Sequence, residues 1–92
     1  MIISFRHRGL KRFYEKDDRK GINSKYADKI ARILARLEIA IEPEDMNLPG
    51  YRLHKLSGNY SNFWSVKVSA NWRIIFRFER QDVADVELID YH

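Results

Sequence analysis

The spacing of apolar residues changes once along the chain, from a helical period in the first half to alternation in the second half. Near the start, Leu10, Phe13 and Tyr14 recur at three-residue and one-residue steps, which predicts a short helix. A strand is predicted before this helix, at residues 2–5. The helix is expected to end near residues 17–21, with Gly21 as its stop signal. The chain is therefore expected to open with a strand and a helix.

A longer second helix follows from an apolar stripe with spacings of four, three, four and four residues. The stripe consists of Tyr26, Ile30, Ile33, Leu37 and Ile41. Asn23 or Ser24 can cap the start of this helix with a side-chain oxygen. Pro43 is expected to end it, because proline disfavours helical geometry in the preceding residue.

Beyond residue 50 apolar and polar residues alternate, which predicts strands separated by short turns. The predicted strands cover residues 51–56, 64–68, 72–78 and 83–89. Short turns between consecutive strands favour an antiparallel meander. One face of the sheet is apolar and should carry the helices, and the other should be solvated. The sequence therefore predicts one α+β domain over residues 1–92, with a C-terminal β-meander.

The composition narrows the class of protein. A net charge of +4 and a pI near 9.5 favour anionic partners, with nucleic acid first. The chain has no cysteine, shows no signal-peptide pattern at its start and has no membrane-length apolar run, so we expect a cytoplasmic protein without a membrane partner. His7, His54 and His92 are scattered, and no metal site or cofactor is expected.

Basic residues recur on the second predicted helix at steps of four, three and four, along one side of the apolar stripe. These residues are Lys25, Lys29, Arg32 and Arg36. Two interpretations stay open. The row is either a track for a nucleic-acid backbone, where each cation neutralises a phosphate, or a solvated helix face with contacts to Asp28 and Glu38.

Cations also lie on the predicted open face of the sheet, where Lys67, Arg73 and Arg77 alternate with apolar residues. Such cations often only keep a surface soluble. Arg73, however, lies just past a turn and beside Trp72, and a guanidinium group matches two phosphate oxygens at once. We therefore predict a phosphate contact for Arg73 and further RNA contacts for Lys67 and Arg77.

Side chains that hold or move protons gather in the last three residues, Asp90, Tyr91 and His92. Cleavage of RNA by its own 2′-hydroxyl needs a proton acceptor, a cation for the phosphorane-like charge and a proton donor. This cluster, His54 and Arg73 supply all three types of group. Each residue also has a plain structural alternative. Alternation separates Tyr91 from its two neighbours unless the strand bulges or frays.

Several segments together resemble the HigB toxins of the RelE/ParE toxin–antitoxin superfamily. They are residues 43–50, Leu53-His54, Asn71-Trp72-Arg73 and Asp90-Tyr91-His92. The resemblance implies a RelE-like, microbial-RNase-like α+β domain, with two N-terminal helices packed on a twisted antiparallel sheet.

The same resemblance implies an activity and partners. The activity would be metal-independent cleavage of mRNA in the A site of the 70S ribosome, with contacts to 16S rRNA of the 30S subunit. This cleavage would arrest translation and growth. The partner would be a HigA-type helix-turn-helix antitoxin, and operator DNA would be contacted only through that antitoxin.

By resemblance, His54 and His92 match positions proposed for acid/base work or phosphate contact. Arg73 matches the arginine taken to stabilise the scissile phosphate. Asp90 and Tyr91 match positions that orient the message and help catalysis.

One residue departs from the family pattern, because Ser57 stands where a lysine is often found. We expect Lys55 or Lys67 to substitute for it, or the site to work with less positive charge. Two alternatives remain. One is a ParE-like toxin that blocks DNA gyrase, and the other is a catalytically weakened module that binds RNA or antitoxin.

Overall fold

The computed structural model describes residues 1–90, and Tyr91 and His92 lie outside them. Two α-helices pack on one face of an antiparallel sheet with strand order β1-β2-β3-β4. The elements are α1 (Arg8–Lys16), α2 (Ala27–Ile39), β1 (His54–Lys55), β2 (Phe63–Lys67), β3 (Trp72–Glu79) and β4 (Asp82–Asp90). The predicted α+β architecture and β-meander are confirmed.

Helix α1 has a side-chain cap at its start and a backbone cap at its end. His7 precedes it, and its Nδ1 accepts a hydrogen bond from the Leu10 N–H at 3.0 Å. Asp17 ends it in the left-handed region, with φ of 53°. The prediction that Gly21 is the stop signal is wrong. Gly21 instead packs directly on Gly9, where an added Cβ would lie 2.4 Å from the Gly21 carbonyl oxygen.

The start of the second helix matches one of the two predicted caps. The side chain of Asn23 accepts from the Lys25 N–H at 2.9 Å and opens a 3-10 turn, Ser24–Tyr26, that leads into α2. Within residues 1–90, neither α-helix has the length and hydropathy that crossing a bilayer requires.

The end of α2 differs from the prediction. The helix stops at Ile39, because Ala40 is already extended, with φ of −68° and ψ of 140°. Pro43 does not end α2; it begins a separate 3-10 turn, Pro43–Met46. Ile41 therefore lies outside the helix and is 52% exposed, so it does not belong to the buried stripe.

Residues 2–5 run beside β4 but do not form a continuous strand as predicted. Ile2 bridges to Val83 and Phe5 to Val86, both in parallel. Between these bridges β4 shifts its register with β3 near Asp85, whose φ is 54°. The amide of Asp85 donates to the Ser4 Oγ at 2.8 Å, so a side chain replaces a regular backbone bond. The N-terminal segment thus covers the outer edge of β4.

One carboxylate connects three segments of the helical layer. Glu38 in α2 accepts hydrogen bonds from the Tyr14 hydroxyl in α1 and from the Ile2 N–H at 3.2 Å. Burial and the bond to Glu38 raise the pKa of Tyr14 to about 12. The bond from Tyr14 lowers the pKa of Glu38. The pair therefore holds both helices and the N-terminal segment in register.

The main core lies between the helices and the sheet. It contains Leu10, Phe13, Ile30, Ile33, Leu34, Leu37, Val66, Ile74, Phe76, Val83 and Val86. Burying such a side chain stabilises a fold by about 1.5–3 kcal/mol. Attachment of the two helices to the sheet rests mainly on this apolar layer.

The opposite face of the sheet, here called the concave face, is less exposed than predicted. Ser65 and Ile75 lie at its centre and are 1% and 0% exposed. The prediction of a fully solvated face is therefore wrong. The sheet curls, since His54 of β1 and Ile89 of β4 line one common cleft although their strands are at opposite ends of the strand order.

Strand β1 is shorter than the predicted strand at 51–56. It contains only His54 and Lys55. Arg52 has a φ of 49°, which breaks the extended chain just before β1.

Candidate active site

Arg73 lies on the concave face of β3. It is opposite Lys67 on β2 and opposite Ile89 on β4. Its Nη1 donates a hydrogen bond to the Ser65 Oγ at 3.1 Å. Because Ser65 is 1% exposed, this contact holds one side of the guanidinium group against a buried hydroxyl.

His54 lies on the same face as Arg73. It is opposite Ser65 in the pairing of β1 with β2, and directly paired residues of antiparallel strands share a face. His54 is exposed, whereas Lys67 and Arg73 are half-buried. The concave face therefore brings together His54, Lys67 and Arg73, three of the residues that the sequence predicted for the site.

A cleft of about 230 Å³ adjoins these residues and is here called the His54 cleft. It is lined by His54, Lys55, Leu56, Ser57, Tyr60 and Ile89. Lys55 borders it on the edge strand, but it pairs with Trp64 and its Nζ lies 5.6 Å from the centroid of the Trp64 ring, so its side chain lies on the helix-bearing side of the sheet. Of the two expected substitutes for a lysine at Ser57, Lys67 is opposite Arg73 on the concave face, and Lys55 is not on that face.

The described part of the C-terminal cluster lies on the other side of β4. Asp90 pairs with Trp72, whereas Ile89 pairs with Arg73. Alternation therefore places Asp90 on the helix-bearing side of the sheet. The structure does not bring Asp90 onto the face that carries Arg73 and His54. The predicted roles of Tyr91 and His92 fall outside the described residues.

Arg77 shares the concave face but is engaged within the chain. Its Nε donates to Asp85 Oδ2 at 2.7 Å, and its Nη2 lies 3.4 Å from Glu79. The bond to Asp85 raises the pKa of Arg77 and lowers that of Asp85. Arg6 lies 3.6 Å from the same carboxylate. These contacts tie Arg77 to the irregular section of β4, which leaves less of its guanidinium group for RNA.

The basic row of the second helix lies far from this face. Lys25 is in the 3-10 turn before α2, and Lys29, Arg32 and Arg36 are on α2 itself. Since α2 packs on the side of the sheet that carries Ile74 and Phe76, the sheet separates the row from Arg73. One phosphate group cannot contact both.

Two residues of the site were missed from the sequence. Ser65 resembles an ordinary polar residue of an alternating strand. It is two residues from Lys67, however, and therefore lies on the same concave face. Tyr60 belongs to a turn whose position over the sheet depends on the curl of the strands. Strand alternation could have identified Ser65 as a residue of the concave face, but no local sequence pattern indicates the position of Tyr60.

Comparison with solved structures identifies the class of fold. The YoeB–YefM complex from Staphylococcus aureus matches with a TM-score of 0.63 at 16% identity, covering 100% of this chain and 98% of that chain. The YoeB/ParE toxin from Agrobacterium tumefaciens matches with a TM-score of 0.53 at 15% identity, covering 100% and 99%. At such identities the likeness shows the fold, which is that of a YoeB/ParE-type toxin.

Sequence comparison identifies the family. Residues 3–92 match the HigB-like toxins, described as RelE-like toxins of type II toxin–antitoxin system HigB. Endoribonuclease HigB of Proteus vulgaris is 39% identical over 92 residues, which is all of both chains. Toxin HigB-1 of Vibrio cholerae is 32% identical over 80 residues, 85% of this chain and 84% of that one. The chain therefore belongs to the HigB-like family of type II toxins, and the predicted resemblance is confirmed.

Proposed function

We propose that this toxin is a metal-independent endoribonuclease that cleaves mRNA by attack of the RNA's own 2′-hydroxyl. The observation that carries the proposal is the placement of Arg73 on the concave face, bonded to buried Ser65 and flanked by His54 and Lys67. The Proteus vulgaris relative is an endoribonuclease by name, which supports the same reaction.

In this proposal each residue has a distinct task. Arg73 stabilises the charge that develops on the scissile phosphate, and Lys67 adds positive charge directly opposite. His54 is exposed at the cleft and transfers a proton. Tyr91 and His92 orient the message and complete the proton transfer, in line with the family resemblance, whereas Asp90 is on the other side of β4 and is given no direct contact with the scissile phosphate.

We propose that cleavage depends on the ribosome and takes place in its A site. The concave face is open, and the cleft beside it measures only about 230 Å³, so it offers little surface to orient a flexible message. A ribosome-bound message would already be ordered. The basic row of Lys25, Lys29, Arg32 and Arg36 faces the other way and is proposed to contact 16S rRNA of the 30S subunit.

We further propose a HigA-type helix-turn-helix antitoxin as the protein partner, with operator DNA bound only by that antitoxin. Its docking surface would be the α2 groove, defined as two adjoining depressions of about 590 and 340 Å³ that share Arg36 and Ile39. Ile39 and Ile41 are 70% and 52% exposed there. With Arg32 and Arg36 beside them, an amphipathic segment with acidic residues fits this groove.

The decisive experiment maps new RNA 5′ ends after brief expression of the toxin. Wild type is expected to produce ends inside translated codons, and Arg73→Ala is expected to lower their yield at least a hundredfold. Lys11→Ala removes one exposed positive charge from α1 and serves as the matched control. Equal cleavage by wild type and Arg73→Ala would contradict the assigned site.

The same measurement separates the alternatives. A gyrase-blocking toxin of the ParE type would inhibit supercoiling and produce no new ends. A weakened binding module would sediment with ribosomes and also produce none.

A further inference from the structure

Tyr60 is an exposed aromatic residue in the wall of the His54 cleft, and none of the roles proposed above uses it. It ends the 3-10 turn Gly58–Tyr60 between β1 and β2 and is 39% exposed. The other walls include His54, Ser57 and Ile89. An aromatic ring that borders a cleft beside a phosphate-binding arginine is a typical stacking surface for an unpaired base.

The ring of Tyr60 is held in place by its surroundings. It packs edge-to-face on Phe63, with ring centroids 5.4 Å apart and an interplanar angle of 89°. Phe63 is buried, and the Arg6 guanidinium lies 5.1 Å from its ring centroid. A backbone hydrogen bond of 3.0 Å from the Leu56 N–H to the Phe63 carbonyl closes the segment that contains Tyr60. A ring fixed in this way loses little freedom when a base stacks on it.

The cleft lies next to Arg73 through two independent strand pairings. Ile89, in its wall, is directly opposite Arg73. His54, also in its wall, is opposite Ser65, to which Arg73 donates a hydrogen bond. A nucleotide whose phosphate contacts Arg73 therefore has its base within reach of the cleft.

The size of the cleft restricts its occupant. About 230 Å³ is below the roughly 300–1,000 Å³ of pockets that enclose drug-sized ligands, so a single ring system fits better than a whole nucleotide or a helix. Lys67 and Arg73 on the same face favour an occupant that is attached to an anionic backbone. Both properties describe a base that is part of an RNA strand.

We propose that Tyr60 and the His54 cleft form a subsite that binds the base of a message nucleotide adjacent to the scissile phosphate. The ring of Tyr60 stacks on the base, and the cleft receives its edge. The proposal rests on the endoribonuclease function and adds a residue that sets which positions of a message are cleaved.

Kinetics on ribosomes programmed with defined messages test the proposal. Tyr60→Ala is expected to raise KM about tenfold with a smaller effect on kcat, because a base-stacking contact is lost. It should also weaken discrimination between messages that differ in the base next to the cleaved bond. Tyr60→Phe keeps the ring and should behave as wild type. Asn59→Ala in the same turn controls for disturbance of the segment, and thermal unfolding controls for the fold.

A second measurement does not depend on cleavage. A short RNA with 2′-O-methyl groups and 2-aminopurine cannot be cut, and stacking quenches its fluorescence. Wild type and Tyr60→Phe are expected to quench it, and Tyr60→Ala is not. Quenching that depends on Tyr60, found with a wild type that cleaves no message, would refute the endoribonuclease function and retain the subsite.

Two outcomes would overturn the subsite. One is a Tyr60→Ala variant with unchanged KM, unchanged site preference and unchanged quenching. The other is a Tyr60→Ala variant that cleaves as wild type but binds the antitoxin more weakly, since Tyr60 would then contact protein instead of RNA.

Discussion

The hydroxyl of Ser65 is a buried group that contacts Arg73. It is 1% exposed and accepts a hydrogen bond from the Arg73 Nη1 at 3.1 Å. Hydrogen bonds to charged groups contribute about 1.5–3 kcal/mol. Ser65→Ala is therefore expected to lower kcat for message cleavage about tenfold or more, because the guanidinium group loses its orientation, while KM changes less.

Single-turnover cleavage on programmed ribosomes measures this effect. Ser61→Ala, an exposed serine outside the site, is the control. A Ser65→Ala variant that cleaves at the wild-type rate would show that Ser65 only fills space in the sheet.

His7 makes the stability of the protein depend on pH. Its Nδ1 accepts from the Leu10 N–H, so it caps α1 only when that nitrogen is unprotonated. Burial lowers the pKa of His7 below its ordinary value of 6.5, and Glu87 opposes this effect. Because the pKa of His7 is lower in the folded state than in the unfolded state, neutral His7 contributes its full stabilisation above pH 6.5. This stabilisation is lost as pH falls through the lower pKa of the folded state.

His7→Asn should therefore remove part of the decline in stability between neutral and mildly acidic pH, since asparagine caps a helix without titrating. At mildly acidic pH, the free energy of unfolding of His7→Asn is expected to exceed that of wild type by about 1 kcal/mol, the usual contribution of a cap. Urea denaturation at several pH values measures it. Parallel pH profiles of wild type and His7→Asn would rule out this explanation.

The sequence predicted the direction of side chains where the strands are regular. It did not predict side-chain contacts where the strand pairing is irregular. The alternation of side chains along a strand correctly placed Lys67, Arg73 and Arg77 on one face. It gave no sign that Arg77 is bound to Asp85, because that contact depends on a register shift in β4. Irregular pairing is decided by tertiary contacts, which a period of two does not encode.

Helix α1 is packed unusually closely on the segment before α2, through two glycines. A Cβ at Gly9 would lie 2.4 Å from the Gly21 carbonyl oxygen, and a Cβ at Gly21 would lie 2.5 Å from the Gly9 Cα. Both neighbours are backbone atoms, so the contact cannot relax by side-chain rotation. Alanine normally favours a helix over glycine by about 1 kcal/mol, but here the clash should dominate.

Gly9→Ala is therefore expected to destabilise the protein by about 1–3 kcal/mol, the usual cost of overpacking. Lys11→Ala on an exposed position of the same helix should change stability by less than about 0.5 kcal/mol. Chemical denaturation compares the two variants. Stabilisation by Gly9→Ala would mean that helix propensity exceeds the clash.

The elements themselves were predictable, and several of their ends were not. Apolar periodicity located both helices and the three longer strands. Helix α1 ends at Lys16, next to the predicted stretch 17–21, but its left-handed cap is Asp17 and not the expected Gly21. Strand β1 begins late because Arg52 adopts a positive φ that the residue type does not announce. Ends of this kind are set by local backbone geometry and by packing.

At the scale of the whole molecule, the two surfaces for which functions are proposed lie on opposite sides of one sheet. The concave face carries His54, Lys67 and Arg73, and α2 with its groove lies on the other side. This separation follows from the packing of both helices on the apolar face, which the sequence predicted. The curl that joins His54 to Ile89 in one cleft could not be predicted, because it arises from the twist of all four strands.

The two surfaces should therefore be separable by mutation. Ile39 is 70% exposed in the α2 groove and makes little contribution to the core, so Ile39→Asp should fold normally. Opposite the acidic segment that is proposed for the antitoxin, the new carboxylate is expected to weaken binding at least tenfold. The free variant should still cleave message, and growth arrest should then resist co-expression of the antitoxin. Arg73→Ala should show the reverse, with normal antitoxin binding and no arrest.

Calorimetry with the antitoxin and growth assays with and without its co-expression measure both effects. Ile3→Asp provides a matched control, because Ile3 is a 48% exposed isoleucine beside β4 and outside the groove. If the antitoxin binds Ile39→Asp and wild type with equal affinity, the α2 groove is not its docking surface. If Ile3→Asp weakens binding as much as Ile39→Asp, the effect is one of charge and not of position, because only the groove variant lies between Arg36 and the exposed Ile41.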